Sequence, residues 1–249
     1  MTIHHEILGH GTIPLVCVHG WCCHSGHFLE VARMLANEFQ VHLIDLPGHG
    51  QSDLGNFAPS FENYTGVLLD YLAAQTSAPC ILAGHSMGGC LALLAGARRP
   101  VRAIINLDGA FPSTPAALQG RAALAENLAA PGATAWLDHF LRQAFFEPHE
   151  TGPVCDTIVA GMLQAPDAVR NFLPAGMLAL HPERDLPGLQ SPAVFVGSAR
   201  PRFDEAAARR LNPRFQFAHI PSAGHFLPVF APEAIAEIIR GAARQTSGE

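Results

Sequence analysis

The chain contains no lysine: Lys and Arg together number 15, and every one of them is arginine. Without a lysine there is no Schiff-base amine and no P-loop ammonium, so chemistry built on either is excluded. Charge of both signs is sparse, at 14% of residues against roughly 25% in an average soluble domain. The net charge is −6, and the arginines form no basic stripe, which argues against nucleic acid as a partner. No apolar run approaches the ~18 residues that would suggest a membrane span. The opening stretch MTIHHEILGHG has no signal-peptide core, so the expectation is a cytoplasmic protein. Six cysteines are present, most of them in apolar segments where a thiol behaves as a small hydrophobe, and a disulfide framework is not expected.

What is there is apolar and alternating. Hydrophobic residues make up 49% of 249, enough for a large core in one α/β domain. Short apolar runs ending in glycine or a turn appear at 13–20, 39–50, 80–89, 101–111, 192–199 and 215–226. Helix-like segments fall between or after them at 27–38, 61–76, 87–98 and 232–244. Strands alternating with helices predict a mostly parallel sheet flanked by helices on both faces. The interval 111–190 breaks the rhythm with Ala, Leu, Phe and Pro. It is expected to form several short helices that cap the carboxyl ends of the strands, where open sheets bind ligands. The expected organisation is therefore a core of residues 1–110 and 191–249 carrying a 111–190 helical lid.

Gly84-His85-Ser86-Met87-Gly88 fits G-x-S-x-G. It follows the apolar CILA and precedes GCLALLAGARR, the strand–turn–helix context that gives the pattern meaning. Small residues flank the serine because the backbone turns too sharply for larger ones, and the helix N-terminus favours developing negative charge. A hydroxyl is a poor nucleophile near neutral pH and needs a base. Among 14 histidines, His225 stands out, in the glycine-containing turn of PSAGHF after the last strand-like run.

These motifs resemble the α/β-hydrolase superfamily. His19-Gly20-Trp21, the loop DLPGHGQS at 45–52 and the late Gly224-His225 are similar to family patterns, over nearly the whole chain. The segment before His19-Gly20 is short, which implies curtailed antiparallel edge strands. The resemblance implies an α/β-hydrolase fold and an order of Ser, acid and His along the chain. It also implies that the backbone N–H groups of Trp21 and Met87 form an oxyanion hole. The family's usual acid position, three residues after Gly197, holds Arg200 here, and arginine cannot accept the imidazole N–H. Asp108, at the end of the strand after the nucleophile helix, is the expected acid, with Asp204 as the alternative. Asp204 opens DEAAARRL, where it reads as an N-cap.

Three functions follow. The first is a serine hydrolase of a carboxylic ester or related acyl bond, with Ser86 as nucleophile, His225 as base and Asp108 as its orienting acid. It would act on a small, apolar or aromatic substrate without a cofactor, with His85, Phe111, Trp136 and Phe140 as substrate-binding candidates. The second is a cofactor-independent dioxygenase of the same fold acting on a hydroxy-quinolone-like ring; relatives of that kind tend to place a second His after the serine, where Met87 stands here. The third is a non-catalytic binding protein. The Cys- and His-rich stretch CVHGWCCHSGH at 17–27 lacks the spacing of a zinc site, so it is read as the oxyanion loop and a helix start, and no metal is expected. Oligomeric state is not legible.

Overall fold

The computed structural model describes residues 3–76, 78–186 and 188–245. Seven strands form one sheet: β1 His5–Leu8, β2 Ile13–Val18, β3 Phe39–Ile44, β4 Ile81–His85, β5 Ala103–Leu107, β6 Ala193–Gly197 and β7 Gln216–His219. Their spatial order is β1-β3-β2-β4-β5-β6-β7. Only β1 runs antiparallel to its neighbour, pairing His5 with Ile44; the other pairings are parallel. Among the described residues β1 is the single antiparallel strand, and it lies at one edge of the sheet.

Alternation along the strands builds the core. Leu15 and Cys17 of β2 join Phe28, Val31, Leu35, Ile235 and Ile239 on one face. Val16 and Val18 join Leu68, Leu72, Leu82 and Leu91 on the other. Both sets of side chains are buried, as expected for central parallel strands covered on two sides. The first face is covered by α1 Leu29–Leu35 and, at the end of the chain, by a helix over Pro232–Gln245. The second is covered by α2 Phe61–Gln75 and α3 Met87–Arg98. The helix expected over 27–38 is shorter than its pattern, because Ser25–Phe28 forms a 3₁₀ turn that His24 caps by accepting from the Gly26 N–H.

Between β5 and β6 the described residues form five helices, α4 Pro115–Leu128, α5 Ala133–Phe145, α6 Pro153–Leu163, α7 Asp167–Leu178 and the single turn α8 Pro182–Asp185. The remaining helices are α9 Glu205–Leu211, α10 Leu227–Phe230 and α11 Pro232–Gln245. No helix among the described residues is long and apolar enough to cross a membrane.

The loop after β3 shows why its sequence motif is so polar. Asp45 Oδ1 accepts from the Ser25 N–H at 2.7 Å and Oδ2 from the Gln51 N–H at 2.9 Å. One buried carboxylate thus fixes the loop that follows His19-Gly20 against the turn that follows β3. Buried donors and acceptors satisfied in this way hold irregular backbone in one conformation.

Candidate active site

Ser86 sits between β4 and α3 with φ 54° and ψ −115°, a strained conformation for a residue with a side chain. The approach is close on both sides. A Cβ on Gly84 would lie 2.1 Å from the Gly88 carbonyl oxygen, and one on Gly88 would lie 2.1 Å from the Val18 carbonyl oxygen. Glycine at these positions lets the turn pack against β2 while Ser86 projects from it. The Ser86 N–H donates to the Leu107 carbonyl at 2.8 Å.

Register then decides which side chain stands beside the serine. β4 and β5 pair His85 with Leu107, so the residues that follow, Ser86 and Asp108, leave the sheet side by side. Asp108 takes φ 51°, a left-handed conformation that Asp tolerates better than most residues. Asn106 shapes the turn: its Oδ1 accepts from the Gly109 N–H at 3.0 Å and its Nδ2 donates to the Gly109 carbonyl at 3.1 Å.

His225 is delivered by the loop after β7, and the inserted helices help to hold it. Its N–H donates to the Phe145 carbonyl at 2.8 Å, and the preceding Gly224 N–H donates to Glu150 Oε1 at 2.7 Å. The His225 carbonyl accepts from His85 Nε2 at 2.9 Å. With the backbone fixed from three sides, the ring bridges the other two residues. Ser86 Oγ lies 2.9 Å from His225 Nε2, and Asp108 Oδ2 lies 2.7 Å from His225 Nδ1. With its proton on Nδ1, the ring donates to the carboxylate and turns the Nε2 lone pair to the serine hydroxyl.

Electrostatics favour that state of the ring. Burial, and then the charge of Arg202, hold the His225 imidazole well below its usual value, so it is neutral at pH 7. Burial pushes the Asp108 carboxyl up to about 6, against the opposing pull of Arg202 and of Ser198. Ser198 Oγ donates to Asp108 Oδ2 at 2.9 Å. Arg202 Nε lies 3.1 Å from His225 Nδ1 and 3.7 Å from Asp108 Oδ2; its Nη2 donates to the Ala144 carbonyl at 2.6 Å, and its guanidinium sits 4.6 Å from the centre of the Phe145 ring. No local sequence pattern marks Arg202, because its importance comes from the loop after β6 meeting the segment that follows β5.

A cavity of about 370 Å³ opens onto Ser86 and His225, and Trp21, Met87 and His85 line it with them. Met87 is the first residue of α3, so its N–H has no acceptor within the helix. The Trp21 indole N–H donates to the Val169 carbonyl of α7 at 2.9 Å, tying the loop after β2 to the inserted helices. His85, lowered to about 3 chiefly by burial, is a neutral part of the wall as well as a brace for His225.

Of the expected aromatic wall, Phe140 lines the cavity, whereas Phe111 and Trp136 lie outside its lining. Phe111 is only 1% exposed in the core. Trp136 stacks on Phe140 at 5.1 Å, off the buried Leu137–Leu141–Phe145 stripe of α5. Asp204 caps α9 by accepting from the Ala207 N–H at 2.8 Å. Arg200 turns to Glu147 at 2.9 Å. The 17–27 stretch spreads its groups among unrelated partners. His19 Nε2 accepts from the Leu46 N–H at 3.0 Å, and Cys23 Sγ donates to the Trp21 carbonyl at 3.2 Å. Among the described residues no group of three or more His, Cys, Asp or Glu is placed to hold a metal ion.

The arrangement can activate a serine for attack on a carbonyl carbon. The sequence matches the model of a family described as alpha/beta hydrolase family over residues 15–238. A pimeloyl-acyl-carrier-protein methyl ester esterase of Xanthomonas oryzae is 30% identical over 241 residues, covering 90% of this chain and 91% of that protein. A thermophilic esterase from Thermogutta terrifontis superposes with a TM-score of 0.79 at 26% identity, over 98% of this chain and 93% of that one. An enol-lactonase from Burkholderia xenovorans superposes with a TM-score of 0.79 at 19% identity, over 96% and 95% of the two chains; at that identity it speaks for the fold alone.

Proposed function

The chain belongs to the alpha/beta hydrolase family, and on that premise we propose that this enzyme hydrolyses a carboxylic ester with Ser86 as nucleophile, His225 as general base and Asp108 as the acid that orients it. The observation that carries the proposal is the unbroken contact chain from Ser86 Oγ through His225 to Asp108, at 2.9 Å and 2.7 Å. Ser86 Oγ attacks the ester carbonyl carbon while His225 Nε2 takes the hydroxyl proton. The carbonyl oxygen becomes an oxyanion held by the N–H groups of Trp21 and Met87. Collapse of the tetrahedral species breaks the bond to the alkoxy oxygen, which leaves with the proton from Nε2. Water, deprotonated by the same nitrogen, then attacks the acyl-serine, and Ser86 leaves with that proton to restore the resting state. Asp108 keeps the ring in one tautomer and balances the imidazolium that forms twice per cycle.

The helices of 111–190 act as the lid over this centre, closing the cavity on the side away from the sheet. The names of relatives such as the Xanthomonas and Thermogutta esterases support an ester as the bond cleaved. Hydrolysis of p-nitrophenyl butyrate tests the proposal. Wild type is expected to turn it over, and Ser86→Ala and His225→Ala to lose at least about 10³-fold in kcat. Undiminished turnover in Ser86→Ala would overturn the assignment.

A further inference from the structure

The cavity that meets Ser86 is apolar over most of its wall, through Trp21, Leu124, Phe140, Phe145 and Met162, yet three arginines also line it: Arg121, Arg200 and Arg202. Among the described residues that line it there is no Asp or Glu. Two of the three cations are answered by acids behind the wall, Arg200 by Glu147 and Arg202 by Asp108. Arg121 is not. It projects from α4 at 8% exposure. Its Nη1 donates to Ser113 Oγ at 2.7 Å and its Nη2 to the Ala110 carbonyl at 3.1 Å. Both partners are neutral, and among the described residues no carboxylate pairs with it.

A buried guanidinium without a counter-charge is an unfavourable arrangement for the empty protein. Burial lowers the affinity of Arg121 for its proton, but arginine starts too high to become neutral near pH 7. Ser113 and Ala110 hold the side chain in place and engage two of its five N–H groups, which leaves donors for a planar anion. A fixed cation, an apolar passage and a serine–histidine pair therefore open on the same cavity.

We propose that the cavity selects an ester carrying a carboxylate away from the bond to be cleaved, and that Arg121 pairs with that carboxylate. The inference deepens the ester-hydrolase proposal and rests on it for the reaction, but the anion site is separable from the chemistry. The chemical class is a half-ester of a dicarboxylic acid, with an apolar stretch between its two ends.

The test compares monomethyl half-esters of four- to eight-carbon dicarboxylic acids with the neutral methyl esters of the matching fatty acids, following methanol release by wild type, Arg121→Met and Arg121→Lys. For the best chain length, wild type is expected to favour the half-ester by about tenfold or more in kcat/KM. Arg121→Met is expected to reduce that ratio by about ten- to a hundredfold, mainly through KM, as for loss of a charged hydrogen bond. Arg121→Lys should fall between. Equal rates on charged and neutral esters by wild type at every length overturn the inference without reference to any variant, so a failure of Arg121→Met to fold does not shield it. An unchanged ratio in a folded Arg121→Met also overturns it. If wild type hydrolyses neither series, turnover of p-nitrophenyl butyrate decides the hydrolase proposal, and calorimetry with adipate against 1,6-hexanediol decides the site. Adipate binding that weakens at least tenfold in Arg121→Lys or Arg121→Met sustains the site, and no preference for adipate ends it.

Discussion

Replacing Arg202 by methionine removes a positive charge that faces both Asp108 and His225 while keeping much of the side chain's bulk. The guanidinium lies 3.7 Å from Asp108 Oδ2, and at an effective dielectric constant of ~20 that separation corresponds to about 4.5 kcal/mol. A quarter of the Arg202 side chain is exposed, so solvent screens part of this, and a change of about one to two pH units is the realistic consequence. Both titrations move the same way. Without the cation Asp108 holds its proton more tightly, and His225 is protonated more readily. The active pair has Asp108 ionised and His225 neutral, and it titrates as one system. Its acidic limb in kcat/KM should therefore lie near the value of about 6 set by buried Asp108 in wild type and rise to about 7–8 in Arg202→Met. Arg202→Lys keeps the charge and should keep the limb within about half a pH unit of wild type. The assay is kcat/KM for p-nitrophenyl butyrate from pH 5 to pH 9, with a thermal melt of each protein. A limb that stays put in a folded Arg202→Met would refute the electrostatic role of Arg202.

Other substitutions probe separate links. Asp108→Asn is expected to cost about 10³- to 10⁴-fold in kcat, measured on the same ester; near-normal turnover would remove Asp108 from the mechanism. Asp204→Ala loses the cap bond to the Ala207 N–H and should cost about 1 kcal/mol of stability by denaturant melt, with kcat within about twofold of wild type. A loss of orders of magnitude in kcat there would make Asp204 the acid instead. Gly88→Ala places a Cβ 2.1 Å from the Val18 carbonyl oxygen, so it should destabilise by at least about 1–3 kcal/mol. A fall in Tm of several degrees, with loss of turnover as the Ser86 turn shifts, is the expected result, and an unchanged melt would contradict the close packing of the turn.

The parts of the site legible in the sequence are those fixed by short-range geometry. Ser86 is marked by the glycines its turn requires, and β4 and α3 by the apolar runs on either side. Arg200 occupies the position where the family resemblance places an acid, and that points to Asp108 instead. In the fold Arg200 pairs with Glu147 at the cavity wall, while β4–β5 register brings Asp108 beside Ser86. Arg202 and Arg121 carry no signal in the sequence because each matters through partners far away in sequence: Arg202 through Asp108, 94 residues earlier by the backbone contact, and Arg121 through the cavity it shares with Ser86. The aromatic wall shows the same limit. Helical periodicity separates the buried stripe Leu137–Leu141–Phe145 from its flanks, but it cannot say which flank meets a cavity, and so Phe140 lines it while Trp136 does not.

Activation of Ser86 by its neighbours is the central claim, and intact-mass measurement after exposure to a fluorophosphonate tests it most directly. Wild type is expected to gain the mass of one adduct and Ser86→Ala none. An unlabelled wild type, or equal labelling of both proteins, would contradict the account.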